Sequence, residues 1–176
     1  MDNYFELYDI PESFTPDAVK VKQKFYELSR AFHPDRFAQA DETTQNQALR
    51  NSALNNDAYK VLTDLDRTMA YVLTLNGVLE PEEKYNLPAD FLMEMMDLNE
   101  LVDNYEAAPD NEQLKEEASQ ALEHQIKEWQ SDVQPVLNNI VASGKSTELL
   151  KAVKDFYFRK KYLLRIKERL ITFASR

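Results

Sequence analysis

Two glycines in 176 residues, Gly77 and Gly144, leave the chain few places to reverse tightly. Sheets joined by tight turns need more positive-φ positions than that, and β-branched runs are scarce. The expectation is an all-α protein. Apolar residues make up 43% and charged residues 30%, a balance that builds a core rather than a disordered chain. The length suits one domain or two small ones. Cysteine is absent, which removes disulfides, thiolate metal sites and cysteine nucleophiles. The two histidines, His33 and His124, exclude an all-histidine metal site, so no metal and no cofactor is expected. No uncharged apolar run approaches a membrane span. The acidic, aromatic start from Met1 to Glu6 does not suit a signal peptide. These features predict a cytoplasmic protein with no membrane partner.

Charge is unevenly spread over a chain whose formal net charge is −10. Residues 80–128 hold 15 acidic and 3 basic side chains, whereas residues 145–176 hold 10 basic and 3 acidic. A strongly acidic whole argues against nucleic acid as a partner. The basic C-terminal helix is expected to pack beside the acidic helices of its own domain.

Periodicity sets the organisation. A short helix covers roughly Tyr4 to Tyr8. Thr15-Pro16-Asp17 reads as a helix start, with Thr15 as N-cap and Pro16 in the first turn. Ala18, Val21, Phe25, Leu28 and Phe32 then recur at spacings of three and four, one buried face. Lys20, Lys24 and Arg30 lie off that stripe and give the helix a basic surface. Pro34 ends it. A third helix, from about Thr44 to Leu62, carries Ala48, Ser52, Asn55, Tyr59 and Leu62 on one face, so the two form a helical hairpin. Helix continues from Arg67 to Leu75 and stops at Asn76-Gly77. Residues 77–88, with two prolines and no period, read as a junction. Beyond it come helices at about 89–107, at 110–142 with a kink or break before Pro135, and after Gly144 with Ser146 as N-cap. Short connections favour an antiparallel three-helix bundle over residues 89–176.

At about 100° per residue, Phe91, Met95, Leu98, Val102 and Tyr105 fall on one line, the core face of their helix. Leu92, Met93 and Met96 point the other way. With Asp97 and Glu100 beside them they read as an apolar patch with an acidic rim, a partner site unless another helix covers that side. Phe158 lies about 180° from Leu149 on the last helix. It is placed in the same exposed patch, with burial against a neighbour as the alternative. His33 and Asp35 flank Pro34 at a helix end, where both side chains should be wet. On the residues alone they are a loop held by an Asp side chain bonding nearby amides. The other reading is the acid–base pair of a helical hydrolase, but no nucleophile, metal or pocket accompanies them beyond the nearby Ser29. No glycine-rich phosphate loop exists, so ATP has no site, and neither catalytic residues nor a small-molecule substrate are assigned.

His33-Pro34-Asp35 after a basic helix resembles the J-domain family of co-chaperones. Asn3 to Leu7 looks like that family's first helix. Phe25-Tyr26 and Leu28 to Phe32 look like its second. Asn55, Ala58, Tyr59, Leu62, Arg67 and Tyr71 look like its third and the segment after it. With Phe91-Leu92-Met93-Glu94 and Met96-Asp97-Leu98 added, nearly the whole chain is similar to the HscB-type iron–sulfur branch in its bacterial form. Met96 and Asp97 stand where that form has leucine and glutamate, and Asn104 where it has a third acidic contact residue. The resemblance implies a J-domain over 1–76, a junction over 77–88 and a scaffold-binding three-helix domain over 89–176. It implies a non-enzymatic co-chaperone that docks on an HscA- or DnaK-type chaperone, stimulates its ATPase, and delivers an IscU-type iron–sulfur scaffold protein. His33, Pro34, Asp35, Lys20, Lys24 and Arg30 would dock the chaperone. Leu92, Met93, Met96, Asp97, Glu100 and Phe158 would bind the scaffold. A general J-protein presenting other clients to DnaK is the alternative.

Overall fold

The structure, a computed structural model, describes residues 3–174, without the side chains of residues 142, 143, 173 and 174. The described residues form helices and connecting loops, with no strand among them. Two compact units divide the chain between Asn76 and Gly77.

The first unit begins with α1 (Tyr4–Leu7), capped by the Asn3 side chain, which accepts from the Phe5 and Glu6 amides. Helix α2 spans Ala18–Ala31, and its N-cap is Asp17 rather than Thr15. Asp17 Oδ1 accepts from the amides of Val19 and Lys20 at 2.9 and 3.2 Å. The Thr15 amide is instead taken by Ser13 Oγ, so Thr15 and Pro16 belong to the preceding turn. Helix α3 (Glu42–Leu62) packs antiparallel to α2, and α4 (Leu65–Leu75) continues past a cap by Asp64. Gly77, at φ +66°, follows the C-cap Asn76 in a conformation that favours glycine.

The predicted stripe of α2 is only partly buried. Val21 is enclosed, Phe25, Leu28 and Phe32 are half-buried, and Ala18 faces solvent. The hairpin gives α2 one broad neighbour, α3, instead of a surrounding core. A polar knot fixes that pairing. The Tyr8 hydroxyl donates to Asn55 Oδ1 at 2.9 Å, and Asn55 Nδ2 donates to the Phe25 carbonyl at 3.1 Å and to Ser29 Oγ at 3.0 Å. Burial holds the Tyr8 phenol well above its usual pKa range. Stacking of Phe25 on Tyr59, with centroids 4.1 Å apart, completes the seam. Asn55→Ala strips the knot of its centre and leaves buried polar atoms short of partners. The expected loss is about 1–3 kcal/mol, read as a fall in melting temperature.

The second unit holds α5 (Ala89–Glu94), α6 (Met96–Ala107), α7 (Glu112–Ser143) and α8 (Thr147–Ala174). The single helix expected over 89–107 is interrupted at Met95. The hydrogen-bond ladder still passes through, from the Met95 amide to Phe91 O and from the Asn99 amide to Met95 O. Asn99 Nδ2 also donates to the Met95 carbonyl at 2.7 Å, a back-bond that competes with the ladder, and to the Tyr162 hydroxyl at 2.7 Å. Helix α7 runs through Pro135 as one helix, so the break expected as one outcome there does not occur. Pro135 faces solvent, where the carbonyl deprived of its amide donor can be hydrated. Ser146 caps α8 as expected, its Oγ accepting from the Leu149 amide.

The bundle runs up, down and up. Trp129 Nε1 donates to the Phe156 carbonyl across α7 and α8, while Asn99–Tyr162 and Asp103–Arg169 pair α6 with α8 in the same direction. Its core includes Phe91, Met95, Leu98, Val102, Tyr105, Leu122, Trp129, Val133, Val153 and Leu163. The basic last helix does sit against its acidic neighbours. Arg169 Nε is 2.8 Å from Glu106 and its Nη2 is 2.7 Å from Asp103, and those bonds hold the guanidinium even more firmly protonated than usual. Among the buried side-chain nitrogen and oxygen atoms of the described residues, the Tyr105 hydroxyl alone lacks a hydrogen-bond partner. Tyr105→Phe removes an unsatisfied group while keeping the ring. It should leave the melting temperature unchanged or raise it, a change of about 0 to +2 kcal/mol.

Candidate functional site

The α2–α3 hairpin presents its connecting loop to solvent. Pro34 cannot continue α2, so the chain turns extended at His33 (φ −60°, ψ 125°) and enters a short 3-10 helix, Pro34–Phe37, with Pro34 in its first turn. His33 caps this helix: Nδ1 accepts from the Asp35 amide at 3.3 Å. The expected Asp-held loop is therefore a His-held one. With Nδ1 as acceptor, the neutral ring carries its proton on Nε2, which remains a donor for a partner. The His33 side chain is 57% exposed and that of Asp35 is 88% exposed, with 3.6 Å between Nδ1 and Oδ2. That distance exceeds a hydrogen bond. Three further bonds fix the loop: Arg36 Nη1 donates to the Arg30 carbonyl at 3.1 Å, and Gln45 Nε2 donates to the carbonyls of Ala38 and Ala40 at 3.3 and 2.9 Å.

Beside the loop lies an open groove of about 620 Å³ lined by Tyr26, Ser29, Arg30, His33 and Arg36. Tyr26 is 51% exposed, and Val19, a heptad earlier on α2, is exposed too. Neither was singled out as a contact residue from the sequence. Their spacing of seven, off the core stripe, was the available signal. Lys20 and Arg30 are exposed, while Lys24 pairs with Glu27 at 3.5 Å. Ser29 is engaged with Asn55 and is not poised as a nucleophile beside His33.

The second site is the outer face of α5 and α6. Phe91, Met95, Leu98, Val102 and Tyr105 are buried, as the angular reading predicted. Leu92, Met93 and Met96 are 41%, 70% and 65% exposed, and Asp97 and Glu100 are exposed beside them. Phe158 does not join this patch. It is only 8% exposed because Tyr85 stacks on it, with centroids 4.4 Å apart and rings 3° from parallel. The segment that looked featureless is a strap on α8: Lys154 Nζ binds the Val78 carbonyl at 2.8 Å and Glu83 at 2.5 Å, and the Tyr85 hydroxyl donates to Asp155 at 2.9 Å.

Burial, followed by the bond to Asp155, pushes the Tyr85 phenol up to about 12. A raised folded-state pKa contributes stability that is whole below the unfolded value of about 10 and is lost as pH rises through about 10 to 12. Denaturation titrations across that window should show falling stability, with a shallower fall for Tyr85→Phe.

A helical hairpin with a wet His-Pro-Asp loop, followed by an antiparallel bundle, defines a J-domain protein with an appended C-terminal domain. Residues 87–171 match the family described as the HSCB C-terminal oligomerisation domain. The chain is 30% identical over 170 residues, 96% of its length and 67% of the relative's, to the human iron-sulfur cluster co-chaperone protein HscB. It belongs to the HscB co-chaperone family. A co-chaperone protein HscB homolog from Vibrio cholerae (strain M66-2) is 39% identical over 111 residues, 62% of this chain and 65% of the relative, so that match spans less than two thirds of the relative's length. Two solved structures share the architecture. Chaperone HscB from Vibrio cholerae gives a TM-score of 0.72 at 28% identity, covering 99% of this chain and 98% of that one. Human co-chaperone protein HscB gives 0.78 at 27% identity, covering 98% and 82%. None of the described helices is long and apolar enough to cross a membrane. No group of three or more described His, Asp or Glu side chains is placed to hold a metal.

Proposed function

We propose that the chain is a non-enzymatic cytoplasmic co-chaperone of iron–sulfur cluster assembly. Its J-domain, residues 1–76, docks through His33, Pro34 and Asp35 on an HscA- or DnaK-type chaperone and stimulates that chaperone's ATPase. Lys20, Lys24 and Arg30 steer the encounter. The C-terminal domain, residues 89–176, holds an IscU-type scaffold protein on Leu92, Met93 and Met96, with Asp97 and Glu100 at the rim. Residues 77–88 are the junction. Phe158, covered by Tyr85, is a buried residue of that domain rather than a contact of the partner.

The observation that carries this reading is the pair of separate exposed surfaces. One is a loop whose polar groups are held but not buried. The other is a methionine-containing apolar patch on a helix whose opposite face is core. Membership of a family of iron–sulfur cluster co-chaperones supports a chaperone and a scaffold protein as the kinds of partner. Co-precipitation with a purified IscU-type scaffold tests the assignment: a complex is expected, and none should form if the chain presents other clients. The departures at Met96, Asp97 and Asn104 give that alternative its weight.

Steering by exposed charge carries its own prediction. The Debye length falls from about 8 Å at physiological ionic strength to about 3 Å at 1 M. Apparent affinity for the chaperone should therefore fall steadily through a salt series. A flat response would reduce Lys20, Lys24 and Arg30 to a solvated face.

A further inference from the structure

Five methionines carry all the sulfur of this chain, which has no cysteine. Met1 lies outside the described residues. The other four divide sharply by exposure. Met69 in α4 and Met95 between α5 and α6 are both 0% exposed, whereas Met93 and Met96 are 70% and 65% exposed. Three of these four fall within residues 93–96, where the helical period turns one inward and leaves two in solvent. Met93 and Met96 are also two of the three apolar side chains of the outer patch on α5 and α6.

Oxidation of a thioether requires the oxidant to reach its sulfur, so exposure sets the order of attack. We infer that Met93 and Met96 form a reversible oxidation site, whose sulfoxides release the protein held on the patch. A sulfur lone pair attacks one oxygen of hydrogen peroxide. The S–O bond forms as the O–O bond breaks, and sulfur gives up two electrons. The departing hydroxide takes the remaining proton and leaves as water. A methionine sulfoxide reductase reverses the step: two thiols are oxidised to a disulfide and the oxygen leaves as water. The sulfoxide is polar and chiral where the thioether was apolar. A partner's apolar surface then covers sulfoxide oxygens that have no donor, which costs binding. The exposed rim residues Asp97 and Glu100 supply none, because ionised carboxylates only accept. The fold is spared, since neither side chain belongs to the core. The inference rests on the proposed scaffold reading only for which protein is released.

The test compares the full-length chain with Met93→Leu/Met96→Leu, which keeps volume and apolarity but removes the sulfur. Each is treated with hydrogen peroxide, which catalase then destroys. Peptide mass spectrometry should find sulfoxide at Met93 and Met96 well before Met69 or Met95. Calorimetric titration with an IscU-type scaffold should show the oxidised wild type weakened about 30-fold or more. Its melting temperature should hold, and methionine sulfoxide reductase with dithiothreitol should restore binding. The double variant should bind equally before and after peroxide. Met1 is common to both chains, so it cannot produce the difference. Retention on a hydrophobic-interaction column reads the patch without a partner: peroxide should make the wild type elute earlier and leave the variant in place. Sulfoxide at both positions with binding or retention unchanged would overturn the inference, as would equal losses in the two chains. An untreated chain that fails to bind the scaffold would sink the scaffold reading alone, and the mapping and the column would still decide the inference.

Discussion

Replacing His33 with glutamine is expected to abolish stimulation of the chaperone's ATPase while leaving the protein folded. The ring is more than half exposed and packs little, and its one internal bond is the cap on the Asp35 amide. Surface changes of this kind usually shift stability by at most about 0.5 kcal/mol, and loss of a cap adds about 1 kcal/mol. The loop keeps its other fastenings through Arg36 and Gln45. What glutamine cannot reproduce is a planar ring that accepts at Nδ1 while donating at Nε2. Steady-state ATPase assays paired with thermal melts check this. Normal stimulation would refute docking through the loop, and a collapse in melting temperature would make His33 structural.

The second large effect belongs to the patch. Leu92→Ala/Met93→Ala should weaken scaffold binding by about 30- to 1,000-fold, taking about 1–2 kcal/mol for each side chain's exposed area buried by a partner. Melting should hold, because neither side chain is part of the core. Phe158→Ala should behave oppositely. Removing a buried ring from beneath Tyr85 costs about 3–5 kcal/mol, so its melt falls first and any loss of binding follows from that. Calorimetric titration of the scaffold, with melts of the same variants, separates the two. A steep fall in melting for the Leu92/Met93 variant would make those residues core. Unchanged melting with unchanged binding would give the patch to another partner.

The angular reading of 89–107 was legible because its two faces obey one helical period, and the irregularity at Met95 leaves the ladder and the period intact. The hairpin was legible for the same reason, and so was the wet His33–Asp35 loop, since proline fixes where α2 must end. Phe158 was misplaced because its burial depends on Tyr85, 73 residues away in a segment with no period of its own. No local pattern reports a strap. The helix does not break at Pro135 because proline's cost depends on whether the freed carbonyl meets water, and on α7 that side is exposed. The helix start moved from Thr15 to Asp17 because both residues suit an N-cap and only the Ser13 turn decides between them. Val19 and Tyr26 were passed over because a pair seven residues apart, off the core stripe, reads singly as ordinary surface.

The coupling of the two surfaces is tested most directly by one assay: the steady-state ATPase of an HscA- or DnaK-type chaperone with this chain, with and without an IscU-type scaffold. Stimulation by the chain alone, raised further when the scaffold is added, is the predicted result. That further rise should vanish for Leu92→Ala/Met93→Ala, while stimulation by the chain alone survives. An ATPase rate that the wild-type chain leaves unchanged, with or without the scaffold, would contradict the assignment.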